Sequence, residues 1–105
     1  MAKISIVWTP QAENDLRAVR AFIAADAPRR AAAYVKRLKL AVQRLRAFPE
    51  IGQVVPELGD EAIREIRVGN YRIIYRIQPG RIDVITVHHG ARLLEGGSPS
   101  GSSET

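Results

Sequence analysis

The sequence predicts an α+β domain: an N-terminal strand, an antiparallel helical hairpin and then a three-stranded antiparallel meander, with the helices packed on one face of the sheet. Two patterns carry this prediction. Apolar residues recur every three or four positions between residues 12 and 45, which is the spacing of a helix. They alternate with polar residues between residues 62 and 89, which is the spacing of strands. Helices followed by a run of strands are typical of the α+β class.

The length and composition limit what the chain can be. Its 105 residues, 46% of them hydrophobic, fit one small domain with one modest core. The absence of cysteine excludes disulfides and thiolate metal sites. No apolar run is long enough for a signal peptide or a membrane span, so we expect a cytoplasmic protein with no membrane partner. Residues 95–105 are rich in Gly and Ser and are expected to form a disordered tail after a single domain, residues 1–94.

The formal net charge of +5 favours a polyanion or an acidic protein as a partner, without specifying either. Thirteen of the 16 bases are arginine and alanine is abundant, so compositional bias is an alternative source of the excess. The second predicted helix concentrates the charge, because no acid occurs between residues 27 and 49. A solvated helix face is one interpretation, and a docking surface for an acidic peptide is the other.

The first half of the chain contains a strand and two helices. "KISIVW" alternates apolar and polar residues, which indicates a strand. Thr9 followed by Pro10 is typical of a helix start. "ADAP" ends this helix, Pro28 falls in the first turn of the next, and Pro49 ends that one, so the two helices should form an antiparallel hairpin. The expected buried faces are Ala12, Leu16, Val19, Ile23 and the flanking Phe22 in the first helix, and Ala31, Val35, Leu38, Val42 and Leu45 in the second.

The second half contains a loop and three strands. "PEIGQVVPELGD" has two Pro and two Gly, and we expect it to carry no regular element. The strands "AIREIRV" and "YRIIYRI" are joined by Gly69-Asn70, which is a two-residue hairpin signal. The strand "RIDVITVHH" follows Pro79-Gly80, a dipeptide suited to a type II turn.

The two-residue turn fixes the pairing of the first two strands of the meander, with Arg67 opposite Arg72. Alternation then directs one set of side chains towards the helices: Ile66, Val68, Tyr71, Ile73 and Tyr75. The opposite face, which we call the arginine face, presents Glu65, Arg67, Arg72, Ile74 and Arg76.

Continuing this register through the second turn predicts where the last strand lies, unless a bulge shifts it. The expected pairs are Asp83 with Arg76, Val87 with Arg72, and His89 with Asn70. His89 then belongs to the arginine face, whereas His88 lies on the helix side opposite Tyr71. Adjacent strand residues point to opposite sides, so the two histidines cannot share one metal ion. With no phosphate-binding glycine loop and no nucleophile elbow either, we expect no metal and no cofactor.

The arginine face has two interpretations. It is either a solvated surface on which Asp83 neutralises Arg76, or a site for an anion or an acidic partner. The second interpretation explains why Arg67 lies opposite Arg72, because like charges directly across a ladder are destabilising without an anion between them.

The order of elements and several motifs resemble the RelE/ParE superfamily of bacterial toxins from type II toxin–antitoxin systems. The resemblance covers residues 3 to about 94 and rests on "WTPQAENDLRAVRAFI", "FPEIGQVVPEL", "IREIRVGNYRIIYRI" and "VHHGAR". It implies a helical hairpin packed on an antiparallel sheet. It also implies a cognate antitoxin whose C-terminal segment wraps the toxin.

Members similar to RelE cut messenger RNA on the ribosome with basic strand residues, the arginine of a "YR" motif, an arginine after the last strand and a C-terminal tyrosine. The resemblance places Arg72 and Arg92 at the two named arginines and Arg67 at a basic strand position, although no Tyr or Phe follows Arg92. A subgroup similar to YoeB uses glutamate, arginine and histidine, which Glu65, Arg72 and His89 match in type.

Members similar to ParE lack this ribonuclease set and poison DNA gyrase. "FPEIGQVVPEL" and the "VHHGAR" ending look at least as much like ParE as like RelE. We therefore predict a toxin that inhibits DNA gyrase and whose antitoxin contacts Arg37 and Arg44. The first alternative is a metal-independent, ribosome-dependent mRNA endonuclease, with Glu65, Arg72 and His89 catalytic and with Arg67 and Arg92 holding the RNA. The second is an inactive basic binding module.

Overall fold

The computed structural model describes residues 3–90, which form two helices and one five-stranded sheet. The helices are α1 (Pro10–Ala24) and α2 (Pro28–Gln43). The strands are β1 (Ser5–Trp8), β2 (Gln53–Val54), β3 (Ile63–Val68), β4 (Tyr71–Gln78) and β5 (Arg81–His89), in the sheet order β1-β5-β4-β3-β2. The α+β class is confirmed, and both helices pack on one sheet face. No helix in this part of the chain is long and apolar enough to cross a membrane.

The sheet is larger than the predicted meander. β1 joins it by parallel pairing with β5, so that the first strand lies beside the last. The loop expected to be irregular contains a short 3-10 helix, Pro49–Ile51, and then β2, which pairs with Arg64 and Glu65 of β3. That expectation was wrong because the Pro and Gly residues of the segment still allow one short 3-10 turn and two pairs of ladder partners.

The buried helix faces are largely as predicted, with one error. Phe22 is 77% exposed, because it lies about 100° round the helix from Ile23 and so points to the side of the apolar stripe. Leu45 is buried but lies in a 3-10 turn, Arg44–Arg46, since α2 ends at Gln43, well before Pro49. The main core contains Ala12, Leu16, Val19, Leu38, Val42, Leu45, Val68, Ile73, Tyr75, Ile82, Val84 and Val87.

The predicted register of β3 against β4 is confirmed, including Arg67 opposite Arg72. The pairing of β4 with β5 starts as predicted, with Asp83 opposite Arg76, but a bulge follows between Tyr75 and Ile74. Beyond the bulge the observed pairs are Ile73 with Val87, Arg72 with His88, and Tyr71 with His89. The predicted positions of Val87, His88 and His89 were therefore wrong by one residue, and the two histidines exchange faces.

The physical reason for the bulge is a pair of side chains at the start of α1. The hydroxyl of Thr9 caps α1 by accepting from the amide of Ala12, and it donates to the carbonyls of Val84 and Ile85 at 2.8 and 2.9 Å. The carboxylate of Asp15 accepts from the amide of Val87 at 2.9 Å and from the hydroxyl of Thr86. Backbone groups that a bulge withdraws from the ladder thus find partners on α1.

The arginine face is not open to solvent at its centre. Val55, Ile63 and Ile74 are buried there in a second, smaller core, with Ile85 packed against it. We call residues 55–60, which lie over this face, the covering loop. Its carboxylates, Glu57 and Asp60, contact arginines of β4.

Candidate functional site

Arg72 lies at the centre of a buried ionic cluster on the arginine face. Its Nε and Nη2 atoms are each 2.5 Å from Oε1 of Glu65 on β3. Its Nη1 and Nη2 atoms donate to the two carboxylate oxygens of Glu57 on the covering loop at 3.1 and 3.2 Å. Arg72 is 3% exposed and Glu65 6% exposed. Arg72 therefore makes charge-assisted hydrogen bonds to two carboxylates at once.

The cluster keeps Arg72 charged. Burial alone would lower the pKa of its guanidinium, but the hydrogen bonds and charges of Glu57 and Glu65 outweigh this effect and raise the pKa. Two carboxylates face one guanidinium, so the cation is more than neutralised by its own chain. An incoming phosphate would have to displace a buried carboxylate before it could reach Arg72.

Arg67, which lies opposite Arg72 in the ladder, also contacts Glu65. Its side chain is 60% exposed, and its Nη2 atom lies 3.9 Å from Oε2 of Glu65. The Glu65 carboxylate thus lies between Arg67 and Arg72 and supplies the anion that their opposition requires. No external ligand is needed to account for this pair.

The neutralisation of Arg76 differs from the prediction. Although Asp83 lies opposite Arg76 in the ladder, its carboxylate binds Arg81 at 2.8 Å and the amide of Gln78 at 3.2 Å. Arg76 instead contacts Asp60 of the covering loop at 3.5 Å. Arg81 precedes Asp83 by two residues on β5, so the two side chains share a strand face and form the closer ion pair.

The two histidines lie on different faces of β5, and His89 is not on the arginine face. His89 makes an edge-to-face contact with Tyr71 at 5.5 Å between ring centroids, and Tyr71 makes another with Tyr34 at 5.6 Å. Arg37 lies over the Tyr34 ring at 5.5 Å. The structure therefore brings Glu65 and Arg72 together but places His89 with the helix-side aromatic residues. His88 is the histidine opposite Arg72.

Tyr34 ties this aromatic row to the β3–β4 turn. Its hydroxyl donates to the carbonyl of Val68 at 3.0 Å and accepts from the amide of Asn70 at 3.3 Å. Gly69 between them has φ +59°, and a Cβ at this position would collide with the Tyr34 hydroxyl. The turn thus needs glycine both for its backbone conformation and for the approach of Tyr34.

A groove of about 400 Å³ lies between the end of α2 and the outer edge of β3. Its walls include Ala41, Arg44, Leu45, Ile51, Ile66 and Val68. Because β2 pairs only with Arg64 and Glu65, the stretch of β3 from Ile66 to Val68 has no outer strand neighbour within residues 3–90. Arg44 lines the groove. Arg37 is one heptad earlier on α2, about 10.5 Å along the axis, beside Tyr34.

Tyr75 holds the backbone at Gly52, one of the residues that line the groove. Its hydroxyl donates to the carbonyl of Pro49 at 2.6 Å and accepts from the amide of Gly52 at 3.1 Å. A Cβ at residue 52 would lie 2.6 Å from this hydroxyl, so only glycine fits there. Burial raises the pKa of Tyr75, which keeps the hydroxyl protonated and able to donate.

Sequence reasoning missed Glu57. Nothing in "VPELGD" distinguishes its glutamate from an ordinary exposed loop acid, because its role depends on how the covering loop crosses the sheet. Arg92, an RNA- or target-binding candidate, and the predicted tail both lie outside the described residues. Within residues 3–90, no three His, Asp or Glu side chains converge as metal ligands.

Comparison with known proteins identifies the class. Residues 6–94 match the family described as ParE toxin of type II toxin–antitoxin system, parDE. The chain belongs to this family, and so to the RelE/ParE superfamily of toxins, as its sequence motifs predicted.

Proteins similar to this chain carry both RelE and ParE names. The chain is 35% identical to toxin RelE2 of Caulobacter vibrioides over 89 residues, 84% of this chain and 97% of the relative. Its fold resembles that in the chromosomal ParDE system from P. aeruginosa, with a TM-score of 0.70 at 19% identity, covering 82% of this chain and 95% of the other. The fold also resembles the one in the RelBE2 toxin–antitoxin complex of Mycobacterium tuberculosis, with a TM-score of 0.59 at 24% identity. This match covers 88% of this chain and 97% of the other.

Proposed function

We propose that this toxin inhibits DNA gyrase, has no ribonuclease chemistry of its own, and is neutralised by a cognate antitoxin. The observation that carries the proposal is the saturation of Arg72 by Glu57 and Glu65. A ribonuclease needs a cation aimed at the phosphate on which charge develops. Here the cation of the "YR" motif is buried and already bound by two carboxylates.

The other members of the ribonuclease set support the same conclusion. A general base must reach the 2′-hydroxyl proton, and a general acid must reach the leaving oxygen. Glu65 is buried in the ion cluster, and His89 packs against Tyr71 on the opposite side of the sheet. These two groups cannot flank one phosphodiester without a rearrangement of β5.

We further propose that an antitoxin segment pairs with the open edge of β3 and fills the groove beside α2. Strand addition requires unpaired backbone groups at an edge and pockets for alternate side chains, and the stretch from Ile66 to Val68 offers both. Arg44 at the groove wall and Arg37 one heptad away would attract acidic side chains of that segment.

Induction of the toxin alone in its host tests the target. We expect growth arrest with filamentation and DNA damage, while incorporation of labelled amino acids continues at first. Co-expression of the cognate antitoxin should restore growth. Early collapse of protein synthesis without DNA damage would assign the ribosome instead. If the intact protein is fully expressed without any growth defect, the alternative of an inactive basic binding module would be favoured.

Matched charge reversals test the docking surface. Arg44→Glu should weaken antitoxin binding and reduce its salt dependence, because Arg44 lines the groove. Arg46→Glu makes the same change two residues away, at an exposed position that does not line the groove, and should bind nearly as wild type. Equal effects of the two substitutions, measured by titration calorimetry at two salt concentrations, would remove Arg44 from the interface.

A further inference from the structure

The excess positive charge of residues 3–90 lies in the part of the chain before residue 50. Residues 3–49, which form β1, α1 and α2, contain ten Lys and Arg against three Asp and Glu. Residues 50–90, which form the rest of the sheet, contain five Arg against six Asp and Glu. The two parts of the chain therefore differ sharply in charge, at about +7 and −1 by formal count.

Local pairing increases this contrast. The exposed sheet arginines Arg67, Arg76 and Arg81 each have a carboxylate within 4.0 Å, at 3.9, 3.5 and 2.8 Å. No Lys or Arg of α2 has such a partner within the described chain. The sheet arginines are thus largely compensated, whereas the field of α2 is not.

The cations of α2 point in two directions. At 100° per residue, Arg30, Arg37 and Arg44 follow the side that borders the groove and Tyr34. Arg29, Lys36 and Lys39, which we call the outer row, lie about 100° to 180° round the helix from the buried Leu38. All three are exposed, and a partner in the groove would not cover them.

We propose that the outer row binds the phosphate backbone of duplex DNA. A protein partner fits this face poorly, because protein interfaces are depleted in lysine and alanine and are anchored by aromatic residues. The neighbours of the outer row are Ala32, Ala33 and Gln43, and Leu40 is its exposed large apolar residue. Lys and Arg side chains are common donors to the phosphate oxygens of DNA, and such contacts carry no requirement for a particular sequence.

The shape of α2 favours DNA over duplex RNA. Sixteen residues form a rod of about 24 Å, which spans about seven base pairs. The major groove of B-form DNA is wide enough to admit such a helix between its phosphate rows, whereas that of A-form RNA is narrow and deep. This inference concerns a different face from the antitoxin groove and does not depend on the gyrase proposal.

Fluorescence anisotropy with the full-length protein and a labelled random-sequence DNA duplex of about 20 base pairs tests the inference. The variant pair Lys36→Gln with Lys39→Gln should weaken binding and reduce the slope of log Kd against log salt by about 1.8, since each lost phosphate contact removes about 0.9. The pair Arg76→Gln with Arg81→Gln changes the net charge equally on the sheet side and should leave the slope unchanged. Thermal melting confirms that both variants fold.

Three outcomes would overturn the inference. The first is no measurable binding of the wild-type protein at about 50 mM salt. The second is an equal loss of DNA affinity in both variant pairs, which would show that only the net charge of the protein matters. The third is competition by duplex RNA as strong as by DNA. Growth arrest and its reversal by the antitoxin would remain untouched by any of these outcomes.

Discussion

Arg72 links two segments that are far apart in the chain. Its guanidinium joins Glu65 on the adjacent strand to Glu57 on the covering loop, and all three groups are shielded from water. Strand alternation alone predicts that Arg72 and Glu65 share a face, because the two-residue turn fixes their register. The same pattern leaves the third partner undetermined. From the sequence, Arg72 and its neighbours were a candidate site for an external anion. In the structure, carboxylates of the same chain neutralise Arg72 instead.

Removing Arg72 should therefore destabilise the fold strongly. Arg72→Ala removes the cation between the buried carboxylate of Glu65 and the largely buried one of Glu57, and we expect a loss of about 3–5 kcal/mol in the free energy of unfolding. Glu57→Gln keeps a one-to-one pair of Arg72 with Glu65 and should cost clearly less. Urea denaturation measures both. A loss below about 1 kcal/mol for Arg72→Ala would show that the cluster is open to water.

The buried hydroxyl of Tyr75 should make the stability of the fold depend on pH in the alkaline range. Because burial raises the pKa of its hydroxyl, the folded state holds this proton more tightly than the unfolded state does. Its contribution to stability is complete below the ordinary tyrosine pKa of about 10 and is lost as the pH rises through the folded-state pKa. Tyr71, whose pKa burial also raises, acts in the same direction.

Tyr75→Phe tests this coupling. The substitution removes the hydrogen bonds to Pro49 and Gly52, so we expect a loss of about 1–3 kcal/mol at neutral pH. It should also make the decline in stability between about pH 9 and about pH 11 shallower than in the wild type. Parallel curves for the two proteins, from urea denaturation across this range, would contradict the assigned role of the hydroxyl.

Among the secondary-structure elements, the bulge in β5 determines which residue lies opposite Arg72 in the ladder, and this is His88 instead of Val87. The Gly69-Asn70 turn could be predicted because its signal is local, and the register of β3 with β4 followed from it. The bulge could not be predicted, because its backbone is held by Thr9 and Asp15, more than 70 residues away along the chain. The parallel pairing of β1 with β5 escaped prediction for the same reason.

Asp15 should be more important than its position on an ordinary helix surface suggests. Asp15→Ala removes the acceptor of the Val87 amide and the Thr86 hydroxyl, and we expect a loss of about 1.5–3 kcal/mol. Glu13→Ala, two residues away and exposed, should change stability by less than about 0.5 kcal/mol. Thermal unfolding gives both values, and hydrogen exchange at Val87 should accelerate only in the first variant. Equal stability of the two variants would show that the hydrogen bonds of Asp15 do not hold the bulge in place.

At the scale of the whole molecule, the fold separates three surfaces. The groove at the β3 edge combines apolar walls with Arg44, and the arginine face is covered and internally neutralised. The outer row of α2 carries cations that have no carboxylate partner within residues 3–90. The sequence predicted the helical layer and the basic second helix. It did not predict how far the arginine-rich strands are neutralised, because two of the compensating acids, Glu57 and Asp60, lie in the covering loop.

Two reactions with the purified full-length toxin distinguish a gyrase inhibitor from a ribonuclease. One reaction contains DNA gyrase, ATP and supercoiled plasmid, and the other contains ribosomes programmed with a messenger RNA. We predict that cleaved plasmid accumulates in a gyrase-dependent manner and disappears when the antitoxin is added, while the messenger RNA remains intact. Toxin-dependent cuts in the messenger RNA, with gyrase unaffected, would contradict the account and would require Arg72 to leave its two carboxylates.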